Sequence, residues 1–272
     1  MVFNIRDIDE TQAPLLDHLI ELRSRLLRSI AALVVSFCVC LYFAGDILGF
    51  LIRPLTAAFP PGQGRLVYTK LYEAFFVELK VALFAAFFVS FPVIANQLWA
   101  FVAPGLYAKE KKAFLPFLVA TPVLFAAGGA FAYFFVMPNA FHWLLGFQGS
   151  KGGLKIEALP SAGDYLGLVM QFILAFGVSF LLPVLLLLIN RAGLVSRQQL
   201  VKFRRYVIVG LTAIAAVITP PDLLSQVLLL VPLLLLFEGS LAIMWFTERK
   251  RAKEEAEEAE GEGKPAVEVI EG

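Results

Sequence analysis

Histidine, cysteine and charge are all scarce in this chain. It has two histidines and two cysteines in 272 residues, and only 17% of its residues are Asp, Glu, Lys or Arg. His18 and His142 stand far apart, and no HExxH pair or metal-ligand cluster occurs. No metal and no cofactor is expected. Cys38 and Cys40 sit about 200° apart on a helix, so they cannot bridge each other and read as small packing residues. There is no serine nucleophile elbow and no pair of intramembrane aspartates, so the sequence offers an enzyme no nucleophile–base pair. With 59% hydrophobic residues, 26 Phe and a mean hydropathy of +0.78, too little polar surface remains to cover a soluble domain. The net charge of +1 points to no nucleic-acid partner.

What the chain does have is six strongly apolar stretches, each near the length of about 20 residues that spans a roughly 30 Å hydrocarbon core. They run roughly from Ser29 to Phe50, Lys80 to Phe101, Ala113 to Pro138, Tyr165 to Asn190, Tyr206 to Thr219 and Leu223 to Trp245. The first ten residues are polar, so no removable signal peptide is expected and the first stretch should stay as an anchor. Between Arg205 and Asp222 lie 16 uncharged residues, about 24 Å of helix. The last two spans are therefore expected to be short, with the bilayer thinned beside them. Seventeen of the 23 Lys and Arg fall before the first span, in alternate loops and in the tail. That bias predicts a multi-pass protein of the inner (plasma) membrane with both termini cytoplasmic.

The expected fold is all-α, with six transmembrane helices bent at Pro92, Pro116, Pro122, Pro183 and Pro232 into a concave wall. Three segments are expected: a cytoplasmic amphipathic helix over 1–28, a transmembrane domain over 29–248, and a disordered acidic tail over 249–272. NAFHWLLGF, after Pro138, reads as an interfacial helix, and Gly128-Gly129 as a helix-packing point.

Three acids stand out. Glu21 lies on an amphipathic helix with Leu15, Leu19, Leu22 and Leu26 along one face, and spacing alone allows an ordinary Glu21–Arg25 pair. Glu110 sits among Lys109, Lys111 and Lys112, where a solvated loop charge is equally natural. Glu238 lies inside the sixth span, either as a proton-coupling group or as a boundary residue reaching the interface.

Several motifs together resemble the TatC subunit of the twin-arginine protein translocase. HLIELRSRLL (His18 to Leu27), QLWAFVAPGLYAKEKK (Gln97 to Lys112), FAYFFVMP (Phe131 to Pro138), AFGVSF (Ala175 to Phe180) and TPPDLLSQ (Thr219 to Gln226) follow in the family's order. The resemblance implies a receptor for signal peptides with paired arginines on folded precursors. It implies assembly with single-span subunits resembling TatA and TatB, as a homo- or hetero-oligomer in the bilayer, driven by the proton-motive force. It assigns signal-peptide binding to Glu21, Arg23, Phe101, Pro104, Leu106, Tyr107 and Glu110. Structural or partner-contact roles fall on Pro54, Asp222 and Gln226. Family members often carry an acid in the fourth span where this chain has Leu181, and Gln171 lies too far along the helix to replace it. The alternative from the residues alone is a proton-coupled small-solute transporter using Glu238.

Overall fold

The computed structural model describes residues 6–60, 64–106, 115–151, 154–191, 193–219 and 223–262. Helices dominate, as apolar segments in lipid require, because only a helix satisfies its own backbone there. The first, α1 (Arg6–Tyr42), joins the amphipathic segment and the first span in one continuous rod. It stops at Phe43, before the expected Phe50, and α2 (Ala44–Ala58) begins a turn away with Asp46 in its first turn. A carboxylate is costly in hydrocarbon, so the chain leaves the membrane before it.

The second span is α3 (Glu73–Leu106), packed along α1. The third is built from α4 (Leu115–Phe131), a π-helical turn (Ala132–Val136) and α5 (Met137–Leu145), the segment expected to be interfacial. The fourth comprises α6 (Ala162–Ser179) and α7 (Leu182–Arg191), with a break at Phe180 and Leu181. A short α8 (Arg197–Lys202), opened by a Ser196–Gln199 capping box, leads to α9 (Arg204–Ile218) and α10 (Leu223–Glu262). Five of the six spans are long and apolar enough to cross a membrane, and α9, at 15 residues, is the short one.

Pro92, Pro122 and Pro232 lie inside helices, and Pro183 stands just after the break at Phe180 and Leu181 that interrupts the fourth span. Pro116 is the second described residue of α4. Two expectations change. The last helix is not short: α10 runs 40 residues and stays helical to Glu262, past the boundary at 249. Ala, Glu, Lys and Arg, which make up most of residues 249–260, are strong helix formers. The segment between α5 and α6 also holds a small antiparallel hairpin, β1 (Gly149–Lys151) with β2 (Leu154–Ile156), which the sequence did not suggest.

The core lies where α2, α5, α6, α9 and α10 converge, around Met137, Leu166, Phe172, Phe176, Leu229 and Phe237. Glycine sets the approach of α4 to α6. A Cβ on Gly128 would press into the Phe176 carbonyl, and one on Gly177 would meet the Phe125 ring at 2.8 Å. Gly128 is thus the packing point expected from the sequence. At the start of α3, Glu73 ties the neighbouring loops together. One oxygen accepts from Ser161 Oγ (2.7 Å) and Gly163 N (2.8 Å), the other from Thr69 N (2.5 Å) and Thr69 Oγ1 (2.9 Å).

Candidate functional site

The antiparallel pair α1 and α3 brings two of the sequence motifs side by side. Near the start of α1, the His18 ring stacks on Phe101 of α3, with centroids 4.2 Å apart and planes 15° from parallel. One turn along α1, Glu21 and Arg25 form the i,i+4 pair that spacing allows. Both Arg25 Nε (2.8 Å) and Nη2 (2.5 Å) donate to the single oxygen Oε1 of Glu21. The second oxygen, Oε2, stands 3.7 Å from His18 Nδ1, beyond hydrogen-bond range. Glu21 is only partly covered, with its side chain 35% exposed. It therefore presents one engaged oxygen and one that a second guanidinium can reach.

The remaining expected residues divide by location. Arg23 is exposed and lies about 200° around α1 from Glu21, so it does not share the Glu21–Phe101 face. Pro104 and Leu106 belong to the last turn of α3, where the backbone is helical. Tyr107 and Glu110 lie outside the described residues, as does Asp222. Pro54, buried in α2, and Gln226, in the first turn of α10, sit at the other end of the molecule from Glu21. The structure thus joins Glu21 with Phe101 and separates both from Pro54 and Gln226.

Sequence reasoning missed His18 as a partner of Phe101; only its position three residues before Glu21 hinted that it shares that face. It also missed the lock behind the site. Trp99 Nε1 donates to Thr121 Oγ1 at 2.7 Å, and that hydroxyl donates to the Phe117 carbonyl, fixing the end of α3 against α4.

The profile of the family described as "Sec-independent protein translocase protein (TatC)" matches residues 17–232. The chain belongs to the TatC family. A TatC from Magnetococcus marinus is 50% identical over 249 residues, covering 92% of this chain and 90% of that protein. The Escherichia coli K12 TatC is 39% identical over 249 residues, covering 91% and 94%. Among solved structures, the crystal structure titled "Twin Arginine Translocase Receptor- TatC in DDM" superposes with a TM-score of 0.74 at 37% identity. It covers 84% of this chain and 99% of that one.

Two further positions, Leu181 and Glu238, have well-defined surroundings. Leu181 packs against the cluster of Phe91, Ala95 and Phe125, where Phe91 and Phe125 stack face to face. The place expected to hold an intramembrane acid is therefore filled by apolar contacts. Glu238, in turn, is bonded to Arg204 at 2.6 Å, and the two side chains are 40% and 52% exposed. That ion pair is one a boundary residue reaching the interface would make.

Proposed function

We propose that this TatC is the non-catalytic receptor and scaffold subunit of a twin-arginine translocase, binding signal peptides with paired arginines on folded precursors. The observation that carries this reading is the His18–Phe101 stack, which holds Glu21, with one oxygen still reachable, beside the end of α3. Glu110 follows Leu106 of α3 by four residues in the sequence and supplies the second acid in this reading. Two carboxylates then meet two guanidiniums. Each charge-assisted bond contributes about 1.5–3 kcal/mol when partly desolvated.

Arginine suits this arrangement better than lysine, because its planar fork shares a carboxylate that already holds Arg25 on one oxygen. The apolar part of the signal peptide has an apolar surface to follow: Leu19, Leu22 and Leu26 of α1 and Val89, Val93 and Leu98 of α3 are all exposed. Orientation follows from the loop cations, with both termini in the cytoplasm and the protein in the inner (plasma) membrane. Single-span subunits resembling TatA and TatB would complete an oligomer and supply the passage, driven by the proton-motive force.

Charge reversal tests the site. Glu21→Lys or Glu110→Lys should each lower binding of a twin-arginine peptide by roughly tenfold or more, and a twin-lysine peptide should bind poorly to the unaltered chain. Unchanged affinity in both variants would remove the assigned site. The pairing of Glu238 with Arg204 counts against the transporter reading, which needs a carboxylate free to load and release a proton.

A further inference from the structure

Histidine is the one side chain whose ordinary titration falls between about pH 5 and 8. The chain has two, and His18 is the one beside Glu21. The other, His142, lies in α5, which packs on α2. Stacking on Phe101 accounts for the face of the His18 ring but leaves its nitrogens without a task.

One of those nitrogens points to a task. Nδ1 stands 3.7 Å from Glu21 Oε2, just outside hydrogen-bond range. That oxygen is the one Arg25 leaves open, because Nε and Nη2 of Arg25 both donate to Oε1. The His18 side chain is 51% exposed, so the ring has room to slide on Phe101 by the fraction of an ångström that would close the bond.

Few other charges reach this ring. On α1 the residues one turn away are Pro14, Leu15, Glu21 and Leu22, and Glu21 is the only charged one. Asp17 is adjacent in the chain, and Arg25 holds the far oxygen of Glu21. Between Lys80 and Leu106, α3 carries no Asp, Glu, Lys or Arg. Lys109, Glu110, Lys111 and Lys112 come next, outside the described residues. Carboxylates, lysines and arginines ordinarily keep their charge from about pH 5.5 to 8. Among these groups, only His18 belongs to a type that changes charge in that interval.

We propose that His18 is a positioning residue whose protonation withdraws Glu21 Oε2 from the signal peptide. A neutral ring leaves that oxygen to an incoming guanidinium. An imidazolium carries a proton on both nitrogens, so Nδ1–H donates to Oε2. Its positive charge also repels the arginine pair. Peptide binding therefore weakens as pH falls through the imidazole range and recovers as it rises. The inference rests on the assignment of Glu21 to the signal peptide.

The test is the affinity of a capped, histidine-free twin-arginine peptide for the full chain in micelles, at about pH 8 and about pH 5.5 and constant salt. The quantity read is the ratio of the two affinities within each variant, so a uniform loss from an altered stack does not enter it. The unaltered chain should bind roughly three- to tenfold more weakly at the lower pH. In His18→Phe, which keeps a ring on Phe101, and in His18→Gln, the ratio should fall close to one. Glu21→Lys is measured beside them at the higher pH. Unchanged binding in Glu21→Lys would remove the site itself and this role with it. Loss of binding there, with a ratio of one in the unaltered chain or an undiminished ratio in either His18 variant, would overturn the role of His18 alone.

Discussion

Pro54 lacks an amide hydrogen, and that one missing donor shapes how α2 meets its neighbours. In α2 the carbonyl four residues back belongs to Phe50, and no helical N–H can reach it. Tyr133 fills the gap. Its hydroxyl donates to the Phe50 carbonyl at 2.7 Å, and its ring stacks on Phe50 with centroids 4.4 Å apart. Tyr165 adds a second bond to the same turn, to the Leu51 carbonyl at 2.8 Å. Tyr133 sits in the π-helical turn, where the extra residue per turn re-aims side chains. Tyr133→Phe should therefore lower thermal stability by about 1–2 kcal/mol. In a Pro54→Ala background, where the alanine supplies its own N–H, the same change should cost much less. Strictly additive losses in a melting-temperature cycle of the two variants would contradict this account. The sequence marked Pro54 as important only through the family resemblance, because its partner lies 83 residues from Phe50.

Among the elements, α9 was the most legible. A count of uncharged residues between Arg205 and Asp222 predicts a short span, and the helix is 15 residues long, about 22 Å. The Arg204–Glu238 pair sets the matching level on α10, 15 residues after Leu223. By itself α9 is about 8 Å shorter than a roughly 30 Å core. Charged, membrane-impermeant thiol reagents should thus label single cysteines at both ends of α9 closer together than in α3. Protection of every position from 206 to 245 would contradict a thinned bilayer here. The full length of α10 was less legible, because an acidic, charge-rich segment satisfies the rules for disorder and for helix equally well. The small hairpin β1–β2 left no pattern in three-residue strands.

Over the whole molecule, the apolar runs and the placement of cations were enough to read six spans and two unlike ends. The site was legible only in part. Glu21 and Arg25 announce their pairing by spacing, but the His18–Phe101 stack joins residues 83 positions apart and follows only from α1 packing on α3. Apolar periodicity says which face of a helix is buried and not which neighbour covers it. Leu181 shows the same limit from the other direction: its sequence position suggested a missing acid, and only its packing on Phe91 and Phe125 shows that the space is filled. The central claim is that Glu21 and Glu110 together receive the paired arginines. Photo-crosslinkers placed singly at positions 21 and 110 of the full chain, in membranes with a twin-arginine precursor, test it most directly. Both positions should crosslink to residues flanking the arginine pair, and both signals should fade when the pair is replaced by lysines. Crosslinks from only one position, or signals indifferent to that replacement, would contradict it.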